Sequence, residues 1–485
     1  MSWHVRVIPN RYADSVRLMG ISRKIRDRAD IQRCELGMGT PANLELLAAL
    51  GAAAQASPSD LVIAVDAENG AAAHALTMAE SELEMLQPVG VSGGASAVAP
   101  RSIALATREL DGANVAMISV PGAYAALEAH QALSAGMHVF LFSDHVPLKA
   151  ELELKRRAAE LGLLMMGPEC GTAMLGGIGL GFANVVKPGP VGIVAAAGTG
   201  AQEGACLLDA AGVGVSHIVG VGGRDLSKDI GGIMFREGMR LLAQDDATET
   251  LLLVSKIPSP EAVRGLVDAI PDSVRVVAAF VGWDRDDAPF EVHPTFEAGA
   301  AAAGGTRPAD VSLLERELDQ RRTIAAGRTL LGLYSGGSLA HEAATIIEPA
   351  LGPLSGNVGH GPAQAADGHR LFDLGDGEYT QGRPHPMVDL TTRLEMLEQA
   401  SLDGETGCVL IDVVLGYGGH PDPAGGLADA ITRMSDRGVV IAHVCGTTDD
   451  PQDAPAQTQA LRAAGALVAP SNAAAARLAV RAVGA

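Results

Sequence analysis

Apolar runs and helical spacings alternate along the chain in four successive stretches. In the first, residues 1–86, strand-type runs are separated by helical spacings, and residues 60–65 are the clearest buried strand. This order predicts a small ferredoxin-like α/β domain, and since it contains no catalytic cluster we expect a docking or assembly role. The other expected elements are strands at 5–8 and 31–38 and helices at 12–29, 43–50 and 71–86.

Residues 87–100 are small, Gly-rich and uncharged. This composition predicts a linker or mobile loop. A segment that folds over a ligand is the alternative.

After this linker, strand and helix patterns alternate in a βαβ order. This order predicts a Rossmann-like domain over residues 101–186, with a parallel, doubly wound sheet. Because a full Gly-x-Gly-x-x-Gly fingerprint is missing, no nicotinamide or flavin cofactor is predicted. The stretch that follows the last strand is expected to be a Gly-rich loop. Strands are expected at 114–120, 137–142 and 163–166, and helices at 123–135 and 148–161.

Two further α/β domains are predicted over residues 187–322 and 323–485. In the first of them, residues 289–306 are expected to be a loop with a short helix, and residues 307–322 a charged helix that leads into the last domain. Its strands are expected at 191–195, 217–221, 250–256 and 274–281.

The last two domains are predicted to be repeats of one plan. Residues 191–205 correspond to residues 329–343: an apolar strand, Gly-Thr or Gly-Ser, and a helix with Glu four residues after the hydroxyl residue. Gly198, Thr199 and Glu203 thereby align with Gly337, Ser338 and Glu342. Later strands correspond at a wider spacing, so the second copy carries an insertion.

The repeated turns are candidates for anion binding. A buried strand that ends in small residues and starts a helix directs several backbone N–H groups to one spot. Related domains usually pack about a pseudo-twofold axis, so the two helix starts are expected to converge on a phosphoryl group. The predicted phosphate-binding residues are Gly198, Thr199, Gly200, Gly337 and Ser338. Glu203 and Glu342 lie one turn further and are predicted to be catalytic; solvated helix glutamates are the alternative.

The insertion supplies a second candidate element. Arg383 is predicted to bind a carboxylate through its fork of donors, and His385, between two prolines, to transfer a proton. Tyr417 and Gly418 follow a buried strand, at the sheet edge where α/β folds bind ligands. A metal site of His385, His420 and Asp422 has no ligand spacing to support it, so no metal is predicted.

A turn after the Rossmann-like strands contributes Cys170 and Gly171 as substrate-binding candidates. The Cys170 thiol has two possible interpretations, a reactive group and a buried structural group.

Composition excludes several classes of partner. The net charge of −21 repels nucleic acid and anionic membranes. Five scattered cysteines without a CxxC pair indicate reduced thiols, and no signal peptide or membrane-spanning run is seen, so a cytoplasmic protein is predicted. Apolar residues make up 47% and aromatic residues only 3%, which favours close packing through small side chains.

Several motifs resemble a known superfamily. Residues 167–171, 192–203 and 220–223 resemble the α subunit of succinyl-CoA synthetase, and the last domain resembles the ligase domain of its β subunit. Within this superfamily the chain resembles most the FdrA family. The matching motifs are residues 166–171, 181–186, 231–233, 382–387 and 412–418.

The resemblance implies a succinyl-CoA synthetase-like scaffold: a truncated CoA-binding-type domain followed by two flavodoxin-like ligase domains. It also implies one subunit of an oxamate carbamoyltransferase of purine and allantoin catabolism, with carbamoyl phosphate as a substrate, no resident cofactor, and partner subunits or a homo-oligomer.

Departures from the synthetase disfavour ATP-driven CoA chemistry. The phosphorylated histidine of a Gly-His-Ala-Gly segment has no counterpart, since His293 lies outside such a motif, and no ATP-grasp domain is present. The shortened Rossmann-like domain disfavours the binding of CoA. An acid–CoA ligase-like enzyme and a non-catalytic scaffold subunit remain the alternatives.

Overall fold

The computed structural model divides the chain into two compact units. It describes residues 2–9, 11, 13, 15–26, 28, 30–85, 100, 102–271, 273–321, 324–325, 328–359, 368–380 and 383–484. The first unit comprises Met1–Ala99 with Thr380–Pro384, and the second comprises Pro100–Tyr379 with His385–Ala485. The predicted linker 87–100, apart from Pro100, lies outside the described residues, as does Gly382 of the resemblance motif.

The first unit is a three-stranded antiparallel sheet with helices on both faces. The central strand is the predicted buried one, and its side chains alternate: Ile63 packs with the cluster of the first and third helices, and Val62 packs with Leu47 of the second helix. The alternation of three strands and three helices is the one expected from the sequence, and the ferredoxin-like assignment stays a prediction. The elements are β1 (Ser2–Ile8), α1 (Ser15–Arg26), β2 (Ile31–Met38), α2 (Pro41–Ala49), β3 (Leu61–Ala67) and α3 (Asn69–Met85).

The second unit begins with a small parallel sheet in the order β4-β5-β6. A short helix that the sequence pattern did not predict precedes it, and the last strand is only two residues long. The elements are α4 (Ile103–Glu109), β4 (Val115–Ile118), α5 (Gly122–Ser134), β5 (His138–Leu141), α6 (Leu148–Glu160) and β6 (Met165–Met166).

The predicted Gly-rich loop is wrong over residues 172–181, where the structure has a β-hairpin. Gly176 and Gly177 form its two-residue turn with φ angles of +57° and +79°, a conformation that glycine adopts without strain. The hairpin strands are β7 (Thr172–Leu175) and β8 (Ile178–Gly181), and β7 pairs antiparallel with a strand of the next domain.

The hairpin thereby extends the sheet of the first ligase-like domain to seven strands, in the order β13-β12-β11-β9-β10-β7-β8. Residues 289–306, expected to be a loop with a short helix, contain both a strand and a helix. The elements are β9 (Val191–Ala195), α7 (Gly198–Ala210), β10 (Val215–Gly220), α8 (Ile233–Leu242), β11 (Thr250–Lys256), α9 (Pro260–Arg264), a 3-10 turn (Val267–Ala269), β12 (Arg275–Val281), β13 (Glu291–His293), α10 (Phe296–Ala303) and α11 (Ser312–Arg321).

The second ligase-like domain has a six-stranded parallel sheet in the order β15-β16-β14-β17-β18-β19. Its order β16-β14-β17-β18-β19 repeats the order β10-β9-β11-β12-β13 of the first, which is the flavodoxin-like arrangement. The elements are β14 (Thr329–Tyr334), α12 (Gly337–Leu351), β15 (Ser355–Gly356), β16 (Arg370–Asp373), α13 (Gly377–Thr380), α14 (Thr391–Asp403), β17 (Thr406–Val414), α15 (Pro423–Ser435), β18 (Val439–Cys445), α16 (Ala454–Ala463), β19 (Leu467–Ala469) and α17 (Asn472–Val483).

A buried ion cluster joins the small parallel sheet to the first ligase-like domain. The Lys155 ammonium of α6 lies 2.8 Å from Glu151 Oε1 and 2.8 Å from Asp225 Oδ1, and all three side chains are fully buried. Asp225 also accepts a hydrogen bond from the Phe235 N–H at the start of α8. The cluster therefore ties α6 to α8.

Among the described residues, none of the helices is both long enough and apolar enough to cross a lipid bilayer.

Candidate functional site

Two helices begin directly after buried strands, as the repeat predicts. α7 follows β9 with Ala197 at its N-cap, and α12 follows β14 with Gly336 at its N-cap. Neither of these N-cap residues has a side chain that could accept a hydrogen bond from the first turn. The first-turn N–H groups therefore carry the positive end of each helix dipole without a side-chain acceptor.

These two helix starts lie against each other. A Cβ placed at Gly336 would lie 2.9 Å from Thr199 Oγ1, so only glycine allows this approach. Both starts lie at carboxyl ends of parallel strands, beside the point where the strand order reverses in each sheet. Open α/β sheets bind ligands at this point.

A buried aspartate fixes the turn that leads into α12. Asp412 of β17 accepts hydrogen bonds from the backbone N–H groups of Ser335 at 2.7 Å and Gly336 at 2.8 Å. Arg393 holds the same carboxylate at 2.8 Å and donates to the Asp412 carbonyl oxygen at 2.7 Å. The sequence analysis gave Asp412 no role, although an acidic residue in an otherwise apolar strand is a signal for one.

Asp373 lies at the start of α12, opposite a lysine of the first ligase-like domain. Its carboxylate is buried and packs so closely on Gly337 that a Cβ there would collide with it. Burial raises the pKa of Asp373 to about 6, and the positive charge of Lys256 opposes this rise. Lys256 was not among the predicted site residues, because its position in the sequence indicates only the end of an ordinary strand.

His385 lies beside the same turn. A Cβ at Gly375 would be 2.9 Å from His385 Nε2, and Gly375 N donates to Asp373 Oδ1 at 2.9 Å. The Met387 N–H donates to His385 Nδ1 at 3.3 Å, so the neutral ring carries its proton on Nε2. Burial lowers the pKa of His385 to about 4, which keeps the ring neutral at physiological pH.

Glu203 and Glu342 lie inside the boundary between the two ligase-like domains, with 1% and 0% exposure. Glu203 accepts from His443 Nε2 at 2.6 Å and from the Asn472 N–H at 3.0 Å. Glu342 accepts from Asn472 Nδ2 at 2.8 Å and from the Phe296 N–H at 2.6 Å. Their predicted catalytic role stays a prediction, and these contacts give both a structural role.

The remaining predicted residues lie around the Phe182 ring or within the core. Gly418 packs on Phe182, and the His385 ring centroid is 5.6 Å from that of Phe182. Gly171 accepts from the Phe182 N–H at 2.8 Å, and the Tyr417 N–H donates to Ala183 at 2.8 Å. Gly200 lies in the first turn of α7, where it packs on the Phe296 ring.

Cys170 is buried, and its Sγ donates to the Gly220 carbonyl oxygen at 3.3 Å. Burial raises the pKa of Cys170 to about 12, which fits the structural alternative. Arg383 is exposed and belongs to the first compact unit, so its predicted role rests on sequence alone. His420 accepts from the Asp422 N–H, and no group of three or more His, Cys, Asp or Glu in the described residues is arranged for a metal.

Comparison with known proteins places the chain among CoA-ligase relatives. The CoA-ligase family matches residues 333–482, and the family described as AllF, heavy metal-associated domain, matches residues 1–98. The uncharacterized protein YahF of Escherichia coli is 35% identical, with 97% of each chain covered.

Other relatives match only a part of the chain. Succinate–CoA ligase subunit alpha 2 of Archaeoglobus fulgidus is 35% identical over 32% of this chain and 54% of that subunit. Among solved structures, PH0766 from Pyrococcus horikoshii is 15% identical, covering 79% of this chain and 85% of that one, with a TM-score of 0.31.

The metal that the AllF description suggests fits the residues poorly. The only cysteine of residues 1–98 is Cys34, which is fully buried and whose pKa burial raises to about 12, so its thiol is a poor metal ligand.

Proposed function

Because the chain belongs to the FdrA-like family of YahF, we propose that it is a subunit of a carbamoyltransferase built on a CoA-ligase scaffold. The proposed reaction converts oxalurate and phosphate into oxamate and carbamoyl phosphate, and runs in both directions. The allantoin-related AllF match of residues 1–98 supports a place in purine-ring catabolism.

The observation that carries the proposal is the contact between Thr199 and Gly336. Two helix starts that meet give a rigid set of N–H donors, and each helix contributes about half a positive charge. Ser338, in the first turn of α12, adds a hydroxyl group. The donors of such a site are already oriented toward a phosphate group. They do not have to rearrange when charge develops on the phosphate during the reaction.

The proposed chemistry needs little beyond positioning. A phosphate oxygen attacks the terminal ureido carbon of oxalurate, the bond from that carbon to the oxamate nitrogen breaks, and the proton of the hydrogen phosphate passes to this nitrogen. Helix-terminal N–H groups stabilise the charge that develops on the phosphate and the carbonyl oxygen.

His385 is proposed to assist as a neutral donor. Its Nδ1 is occupied by the Met387 N–H, so its Nε2–H is the group that faces the Asp373–Gly375 turn. A ring with a pKa of about 4 is a weak base, and we therefore assign it hydrogen-bond donation to the developing oxyanion.

The test is carbamoyl phosphate consumption in the presence of oxamate. The purified chain is assayed alone and together with the products of adjacent genes. Ser338→Ala is expected to lower the rate, and Ser81→Ala, on an exposed face of α3, is the matched control. If no combination of subunits consumes carbamoyl phosphate, the proposal fails.

An acid–CoA ligase is the second candidate, and the CoA-ligase match over residues 333–482 favours it. This reaction would pass a phosphoryl group through the chain or a partner. Incubation with ATP labelled in its γ-phosphate, with and without CoA, distinguishes the two. A labelled histidine on this chain would support the ligase and contradict direct carbamoyl transfer.

A further inference from the structure

Lys256 ends β11 and faces α7. Along a strand, alternate residues share a face, so Lys256 lies on the same side of the sheet as Val254. Val254 packs against α7, since a Cβ at Gly200 would lie 3.1 Å from Val254 Cγ1. Lys256, two residues further along, is therefore directed toward the start of α7.

The charges around Lys256 do not neutralise its ammonium group, so the group is able to bind an anion. Within the described part of the chain no carboxylate lies within 4.0 Å of it, and the helix starts at Thr199 and Gly336 are themselves positive. Asp373 is the acidic group that faces it from the second ligase-like domain. Two further carboxylates act on Asp373: Asp412 is already held by Arg393, and Asp376 is exposed.

The turn after Lys256 holds this residue in place. Ile257 has a φ of +43°, a conformation that β-branched residues rarely adopt, and its N–H donates to the Val281 carbonyl oxygen at 2.9 Å. Strained turns of this kind persist where the surrounding structure imposes them, commonly at functional sites. The position of Lys256 at the strand end is therefore fixed by both strand pairing and the turn.

We propose that Lys256 is a specificity-determining residue, which makes the site select a doubly charged phosphate group over a singly charged carboxylate. The inference rests on the proposed function, because it assigns a further residue to the same anion site. The electrostatic attraction of a fixed cation is stronger for a dianion than for a monoanion, and this difference in binding energy supplies the selectivity.

Calorimetric titration of the full chain tests the inference, with inorganic phosphate as the dianion and oxamate as the monoanion. Lys256→Met is expected to weaken phosphate binding at least about tenfold and oxamate binding much less, so the preference falls. Lys256→Arg keeps the charge and is expected to retain the preference. Lys228→Met removes an exposed lysine of the same domain and is expected to leave both affinities unchanged.

The outcomes separate this inference from the proposed function. If the unmodified chain binds phosphate and Lys256→Met binds it equally well, the role of Lys256 is overturned while the anion site stands. If both anions weaken equally in Lys256→Met, Lys256 contributes charge without selectivity and the inference is again overturned. If the unmodified chain binds no phosphate, the anion site itself is absent and both proposals fail.

Discussion

The carboxylate of Glu203 accepts a hydrogen bond from the backbone N–H of Asn472, the first residue of α17, at 3.0 Å. In the matching position of the repeat, Glu342 accepts from Phe296, the first residue of α10, at 2.6 Å. Each ligase-like domain therefore supplies a carboxyl group to the start of a helix in the other domain. Hydrogen bonds to the otherwise unpaired N–H groups of a helix start are stabilising, so this exchange of caps holds the two domains together.

The first prediction concerns Glu342. Burial, assisted by the charge of Glu203, raises its pKa from 4.5 to about 8. Because the folded chain then binds a proton that the unfolded chain releases, stability falls as pH rises from about 4.5 to about 8. Glu342→Gln removes this titration and is expected to flatten the dependence of the thermal midpoint on pH between about 5 and 8.

Glu395→Gln, on an exposed position of α14, is the matched control and is expected to keep the slope of the unmodified chain. A Glu342→Gln variant with the original slope would show that Glu342 is ionised in the folded chain.

The second prediction concerns the buried ion cluster. In Lys155→Met, Glu151 keeps its ion pair with Arg224 at 2.8 Å, but Asp225 is left with an uncompensated buried charge, so a loss of about 3–5 kcal/mol in the free energy of unfolding is expected. Lys149→Met, exposed on the same helix, is expected to change it by less than about 0.5 kcal/mol. Denaturant unfolding measures both, and equal losses in the two variants would contradict a structural role for the cluster.

The third prediction concerns the meeting point of the two helix starts. Gly336→Ala places a methyl group 2.9 Å from Thr199 Oγ1 and is expected to cost about 1–3 kcal/mol of stability. Phosphate affinity is expected to fall with it, because the N–H donors move apart. Gly377→Ala meets no atom within 4 Å and is the control. Unchanged phosphate affinity in Gly336→Ala would mean that the anion site does not depend on this contact.

The fourth prediction concerns thiol reactivity. All five cysteines are buried, and burial raises the pKa of both Cys34 and Cys170 to about 12. A thiol-specific reagent is therefore expected to modify none of them in the native chain and all five after denaturation. Rapid native labelling of Cys170 would restore its interpretation as a reactive residue.

The α/β architecture was predictable because buried strands and amphipathic helices leave strong periodic signals. The runs at residues 60–65 and 191–195 became strands in the central positions of their sheets. The hairpin at residues 172–181 was missed, since glycine-rich strands carry almost no periodic signal. Its two-glycine turn was the local feature that could have indicated it.

The candidate site was predictable only in part. The repeat led to the helix starts at Thr199 and Gly337, because a turn that recurs in two domains is visible in the sequence. Lys256, Asp373 and Asp412 come from three strands that are distant along the chain, so only the fold brings them together. The solvent exposure of Glu203 and Glu342 could not be judged from helix position, because it depends on how the two domains pack.

The exchanged helix caps make the two ligase-like domains mutually dependent. If the chain were cut between them, each half would keep a buried glutamate without its partner N–H group, and α10 or α17 would lose the acceptor at its first residue. Because both domains belong to one chain, each is present at a high effective concentration for the other. The interface can therefore form even if the two separated domains would dissociate on dilution. A substitution of either glutamate is therefore expected to destabilise the other domain as well.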